Sequence, residues 1–335
     1  MAPKIAPPLI SVLRENGETM NNKKNIIFGT GPLGLWVAKA LAKEDNQVTL
    51  VNRKGKVAQE LPGKMQIVAG DATDSTSVYQ ICMEADAVFH CAMPPYTEWS
   101  GQFPPLTKGI LEGVSKAGAK LIYGDNLYMY GDTEGRPITE NLPYTATGHK
   151  GKVRAEMAEM LLNAHKKGVV QIVIGRGSDF YGPQVVNSAF GEMFFKAALS
   201  GKPSNLLGNI DLPHTYTYIK DFANALVKLS ENDRALGQVW HVPNAPTITT
   251  RQLVGLVEKE IGQPIKVRTA GRLMVTLLGL FNPMIKEMKE MMYEWEKPYV
   301  VEHNKFEDTF GADTTPHEAA IKETVEWYRQ RIGSN

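Results

Sequence analysis

The apolar run Asn25-Ile26-Ile27-Phe28 breaks at Gly29-Thr30-Gly31-Pro32-Leu33-Gly34 and resumes as the helical pattern Leu35-Trp36-Val37-Ala38-Lys39-Ala40-Leu41. A strand that turns into an amphipathic helix through three glycines is the opening of a βαβ unit, and so of a parallel sheet. Gly29 permits the tight turn, Gly31 lets the backbone approach a pyrophosphate, and Gly34 lets the helix pack close to the strand. The amides of the helix start then face the anion. Thr30, Pro32 and Leu33 complete this candidate cradle for a dinucleotide.

The next residues add to that reading. A second apolar run, Gln47-Val48-Thr49-Leu50-Val51, ends in Asn52-Arg53-Lys54, where a dinucleotide fold meets the adenosine ribose, and Lys56 follows. An acid there would accept from both ribose hydroxyls and favour NAD. A neutral amide and two cations suit a 2′-phosphate, so NADP is expected, with NAD as the other candidate. After the strand Met65-Gln66-Ile67-Val68-Ala69, Asp71 and Ala72 are candidate contacts to the adenine, and Asp74 is read as the cap of a helix from Ser75 to Cys82.

Length and composition narrow the class. The 335 residues can bury a large core, and 37 basic against 36 acidic side chains leave a net charge of +1 with no basic block, which argues against nucleic acid or an anionic membrane as partner. Cys82 and Cys91 have neither a disulfide pattern nor metal spacing, and His214 and His241 pair with no other histidine at a ligand interval. No metal is expected, and a reducing, cytoplasmic setting is. No apolar run reaches the ~18 residues of a membrane helix. Residues 1–23, with Pro3, Pro7 and Pro8, read as a loose extension, and Met20 is an alternative start.

Strands and helices then alternate as in a doubly wound sheet. Strand Asp86 to His90 is followed by a helix near Leu106 to Lys116, strand Lys120 to Tyr123, a long helix near Gly151 to His165 and strand Val169 to Ile174. Beyond Pro183 come a helix Phe190 to Leu199, a turn-rich insert Leu206 to Leu212, a helix Asp221 to Leu229 and a strand Gln238 to Val242. The rest is mainly helical, with an apolar zone Leu273 to Leu280. A methionine-rich zone follows, Met284, Met288, Met291 and Met292 with Tyr293 and Trp295, and is read as core or domain seam. The expected architecture is a Rossmann-type α/β domain, 24–182 plus about 214–243. A smaller, mainly helical substrate domain takes 183–213 and 244–335.

The order of the glycine motif, Gly70-Asp71-Ala72-Thr73-Asp74, His90-Cys91-Ala92, Tyr128-Met129-Tyr130-Gly131, Arg176 to Pro183 and Tyr216 to Asp221 resembles the extended short-chain dehydrogenase/reductase superfamily, the NAD-dependent epimerase/dehydratase group. The resemblance covers about residues 24–332 and implies a site in the cleft between the domains, with Cys91, Ala92, Met93 and Asp179 near the cofactor. Tyr181 and His214 fall among the implied substrate contacts, and a homodimer through helices near 106–116 and 151–165 is implied as well. Phe28 stands where the extended group usually has its first glycine.

The larger departure concerns catalysis. The superfamily usually carries Tyr-x-x-x-Lys on the helix after the fifth strand and a Ser or Thr before it, a proton carrier with its supporting charge. Here Lys150 falls where the tyrosine is expected, Arg154 where the lysine is expected, and Asn126 where the hydroxyl is expected. Lys150 and Arg154, four apart, share a helix face, and burial beside Arg154 would lower the lysine pKa toward a proton-transferring value. Arg154 can hold ribose hydroxyls or a carboxylate, Asn126 can only orient an oxygen, and Tyr128 is the best alternative proton donor. Met93, Tyr96 and Trp99, in the loop after the fourth strand, form a candidate apolar wall for a small substrate. Three functions follow: an NADP-dependent oxidoreductase on a carbonyl or alcohol; alternatively a cofactor-retaining epimerase, dehydratase, isomerase or lyase; or a cofactor-binding sensor without catalysis.

Overall fold

The computed structural model describes residues 23–44, 46–58 and 61–333, so the extension expected at 1–23 lies, apart from Lys23, outside the described residues. Strands and helices alternate through the first half: β1 (Lys24–Phe28), α1 (Pro32–Ala42), β2 (Gln47–Asn52), β3 (Met65–Ala69), α2 (Ser75–Cys82), β4 (Ala87–His90), α3 (Trp99–Ala117), β5 (Lys120–Asp125), α4 (His149–Lys166) and β6 (Ile172–Arg176). Strand Val239–His241 joins them in a parallel seven-stranded sheet, ordered β3-β2-β1-β4-β5-β6 and then Val239–His241. The chain reverses direction across the sheet between β1 and β4. In an open parallel sheet the crevice beyond the strand ends at that reversal is the ligand site.

Both faces of the sheet are covered, which is why its central strands read as unbroken apolar runs. Ile26 and Phe28 enter the core shared with Val78 of α2, Ile110 of α3 and Met157 of α4. Ile27, pointing the other way, packs with Val37 of α1 and Leu226 of the helix Ile219–Ser230. Asp74 caps α2 as expected, accepting from the Thr76 amide at 2.9 Å. Helix α3 begins at Trp99, not Leu106, and runs through Pro104 and Pro105. Each proline removes one helical hydrogen bond, and burial of Trp99 and Phe103 in the core offsets that loss. The strand Ser204–Leu207, which runs into the expected turn-rich insert Leu206 to Leu212, pairs in parallel with Val267–Ala270.

A second core gathers Phe190, Phe194, Phe195, Leu253, Val257, Trp295, Ile321 and Tyr328 from the helices Glu192–Leu199, Thr250–Ile261, Tyr293–Glu296 and His317–Gly333 and their flanks. Thr249 starts the second of these helices with a reciprocal cap to Gln252. Met291 and Met292 are buried and Met288 is half-buried, while the side chain of Met284 lies outside the description. The segment 283–296 passes over the carboxyl end of the sheet, where it meets α4. Among the described residues no helix is long and apolar enough to cross a membrane.

Candidate active site

At the reversal point, two of the motif glycines are dictated by the protein's own backbone. Gly29 has φ +106°, and a Cβ there would lie 2.5 Å from the Ala92 nitrogen and 2.6 Å from the Cys91 carbonyl. A Cβ on Gly34 would fall 2.0 Å from the Gly29 oxygen. Gly31 differs, since a Cβ on it would meet nothing within 4 Å. It caps α1, with Pro32 in the first turn, so its bare face is an open cradle at a helix N-terminus, which fits a dinucleotide pyrophosphate. Leu33 packs against Gly124 at the end of β5. The Cys91 thiol, pushed up to about 12 by burial, is neutral here.

The ribose end is less open than its sequence implies. The Asn52 amide donates to the Thr30 hydroxyl and the Lys56 carbonyl, both at 3.0 Å, and its oxygen accepts from the Lys54 amide at 2.9 Å. Asn52 therefore shapes the loop, and Arg53, Lys54 and Lys56 carry its positive charge. Asp71 accepts from the amide and hydroxyl of Thr73, which hold its carboxyl below the usual range, with a smaller pull from Arg53. Ala72 is half-buried beside it.

Lys150 and Arg154 do share a face of α4, but each is claimed by an acid. The Lys150 ammonium, 3% exposed as a residue, bonds Glu287, lies 3.7 Å from Glu290 and sits 4.2 Å above the Tyr96 ring. Arg154 donates to Asp125 at 3.0 Å and to the Tyr123 hydroxyl at 2.7 Å, its guanidinium 4.4 Å from both the Trp99 and Phe103 rings. The arrangement expected, a lysine discharged by a neighbouring cation, is replaced by two separate charge-compensated sites. Asp125 also accepts from Arg176 at 3.2 Å, and Arg176 continues to the hydroxyls of Tyr130 and Tyr144, each at 2.7 Å. Asn126 is spent locally, accepting from the Tyr128 amide at 3.2 Å.

Tyr128 stands among the groups that can move a proton. Its ring stacks on Trp99 at 6.0 Å, Trp99 meets Tyr96 edge-on at 5.1 Å, and the Tyr96 and Tyr128 hydroxyls interact. Beside them lies Glu294, 2% exposed, with one carboxyl oxygen lacking any partner and the other side of the group near the Tyr299 hydroxyl. Burial, then the nearby Asp179, raise its pKa well above the carboxylate range. Burial first, and the neighbouring Tyr96, Glu294 and Asp179 behind it, raise Tyr128 well above an ordinary phenol. Burial thus favours the neutral form of both groups. Asp179 bonds His214 at 2.8 Å, and that ring stacks on Trp295 and Tyr299 at 4.6 and 5.2 Å.

The fold thus brings Tyr96, Trp99, Tyr128, Lys150, Asp179 and His214 to one end of the sheet. Met93 is 55% exposed in the loop beside them. Tyr181 faces elsewhere, into the aromatic core, its hydroxyl 3.1 Å from the His317 ring. Asp125, Arg176, Glu287, Glu290, Glu294 and Tyr299 were not singled out from the sequence. Two signals existed: charges inside otherwise apolar strands, which must be paired, and the acids Glu287, Glu290 and Glu294 at helical spacing.

Comparison with known proteins agrees with this geometry. The model of the NAD dependent epimerase/dehydratase family matches residues 26–242. A putative UDP-arabinose 4-epimerase 2 of Arabidopsis thaliana is 28% identical over 282 residues, 71% of this chain and 67% of that protein. UDP-arabinose 4-epimerase 1 of the same plant is 32% identical over 169 residues, 44% of this chain and 40% of that protein. The chain therefore spans between two-fifths and two-thirds of the length of these relatives. In fold it is similar to a UDP-glucuronic acid 4-epimerase of Bacillus cereus solved with NAD, with TM-score 0.75, 19% identity and 92% and 99% of the two chains covered. By its glycine cradle, its parallel sheet and the family match over most of its length, the chain belongs to the NAD-dependent epimerase/dehydratase family.

Proposed function

We propose that this protein is a cofactor-retaining enzyme of the epimerase or dehydratase type, acting at an alcohol carbon of a small substrate. The observation that carries this reading is the enclosure of Tyr128 by the segment 283–299, whose own Glu294 is buried beside it, at the end of the sheet that holds the glycine cradle. A covered site keeps a carbonyl intermediate from escaping, which a reaction that returns its hydride requires and a simple dehydrogenase does not. Bound in the cradle, a nicotinamide supplies reversible hydride transfer. The chain's own part would be to hold the substrate against Tyr96 and Trp99 and to carry the hydroxyl proton, which Tyr128 or Glu294 in its deprotonated form takes up when the alcohol is oxidised and gives back when the carbonyl is reduced. Lys150 positions the covering segment through Glu287 and Glu290. Arg154 positions the aromatic wall.

The cationic loop Arg53-Lys54 supports NADP as the cofactor, with NAD, the ligand of the Bacillus cereus complex, as the alternative. Calorimetry with each dinucleotide decides this: Arg53→Ala weakens NADP binding roughly tenfold and leaves NAD unchanged if the 2′-phosphate reading holds. The names of the relatives make UDP-sugars the first substrates to try. Incubation with UDP-arabinose and UDP-glucuronic acid, followed by chromatography and absorbance, is expected to show an isomer or dehydrated product without net reduced cofactor. Stoichiometric reduced cofactor would point to the oxidoreductase reading. Tight cofactor binding with no turnover, unaffected by Glu294→Gln, would point to the sensor.

A further inference from the structure

The apolar zone Leu273 to Leu280 is turned outward. Leu273, Leu280 and Phe281 are 76%, 75% and 89% exposed, and Met274, Leu277 and Leu278 are exposed with them, so that six large apolar side chains crowd into nine consecutive positions. Only Val275 of the helix Arg272–Leu278 is buried. Single exposed apolar residues are ordinary, whereas a contiguous patch of this kind marks a docking surface.

The charges around it are sorted by side. Lys286 and Lys289 are exposed, and Gly279 packs directly on the Lys286 backbone, which places this lysine at the edge of the patch. Lys266, just before the strand Val267–Ala270 that leads into the helix, and Arg268 on that strand are exposed as well. The acids of the same segment are engaged elsewhere: Glu287 and Glu290 hold the start of α4, Glu294 is buried, and Glu296 binds Arg272 at 2.5 and 2.9 Å. The outward face is apolar at its centre and cationic at its rim. That is the pattern of an element lying in a bilayer interface, its apolar side chains among acyl chains and its cations at headgroup phosphates.

We infer that residues 266–289 dock the protein onto an anionic lipid surface, without crossing it, which reverses the expectation drawn from the near-neutral charge of the whole chain, because the cations are gathered locally around this patch. A second copy of the chain fits the patch less well, because a two-fold contact through it sets Lys286 and Lys289 against their own like charges. The inference is independent of the reaction proposed above.

Sedimentation of the full-length protein with vesicles tests it, using phosphatidylcholine alone and phosphatidylcholine mixed with phosphatidylserine. The protein is expected to sediment with the mixed vesicles, less so as salt rises, and roughly tenfold less as Leu280→Asp/Phe281→Asp. Because these side chains are exposed, that variant keeps its circular dichroism and melting temperature. Lys286→Glu/Lys289→Glu leaves the apolar centre intact and should lose the preference for phosphatidylserine. Absence of sedimentation with either vesicle overturns the inference. So does a wild-type dimer in light scattering that Leu280→Asp/Phe281→Asp converts to monomer without any vesicle binding, since the patch would then be an interface between copies.

Discussion

Asp125→Asn is the most informative single change to the site. The Asp125 side chain is fully buried between Arg154, at 3.0 Å and 6% exposed, and Arg176, at 3.2 Å and fully buried. Replacing the carboxylate by an amide leaves two guanidinium charges in the interior with no counter-charge, and the amide nitrogen must face one of them. Unit charges 4 Å apart interact by about 4 kcal/mol at an effective dielectric near 20. Breaking a buried pair by removing one partner costs about 3–5 kcal/mol, because the orphaned charge stays desolvated. The Tyr123, Tyr130 and Tyr144 hydroxyls continue to accept from the two arginines, which keeps the loss at the level of one such pair. Against a typical total of about 5–15 kcal/mol the variant folds but is much weakened. Urea unfolding at pH 7, followed by tryptophan fluorescence and circular dichroism, measures the difference. A loss below about 1 kcal/mol would refute the argument, since it would mean that water or another anion reaches the arginines in the native state.

The glycines offer a contrast: Gly34→Ala meets the Gly29 carbonyl and should lower the melting temperature, while Gly31→Ala should leave it unchanged and weaken dinucleotide binding at least roughly tenfold, both read by calorimetry. His90 and His241 are each pushed down to about 3, chiefly by burial. The unfolded chain then binds protons first, so stability is complete above pH ~6.5 and falls by about 1.4 kcal/mol per pH unit for each histidine as pH drops toward 3. Urea midpoints between pH 7 and 5 should show this slope, and His90→Gln should flatten it; an unchanged slope would count against a buried neutral ring. Lys150→Met removes the ammonium that holds Glu287 and Glu290, and hydrogen exchange should accelerate in 283–296. Unaltered exchange there would show that the covering segment is held by other contacts.

The main sheet and its glycine cradle were readable because they depend on local signals. An apolar run, a turn and a helix are neighbours in the chain, and the shared face of Lys150 and Arg154 follows from a spacing of four. What surrounds those two side chains was not readable in the same way. Glu287 lies 137 residues from Lys150 and Asp125 lies 29 from Arg154, and no periodicity connects such pairs. The acids that pair with Lys150 and Arg154 escaped for that reason: they lie outside α4, and the counter-charges come from β5 and from the segment 283–296. The early start of α3 escaped because Pro104 and Pro105 normally mark a boundary, and the tertiary burial of Trp99 overrode them. The strand Ser204–Leu207 was hidden because its partner, Val267–Ala270, is remote in sequence.

The residue that opens α4, Gly148, has no side chain with which to cap it. Glu290 does so instead from 141 positions away, accepting from the His149 amide at 2.8 Å and the Lys150 amide at 3.2 Å. The first turn of this helix is therefore completed by long-range assembly rather than by its own sequence. During refolding it should be among the last turns to gain protection, after the chain has closed a loop of that length. A fragment ending near residue 243 would keep the sheet strands yet present a frayed α4, because the carboxylate that completes its first turn is lost with the segment that carries it.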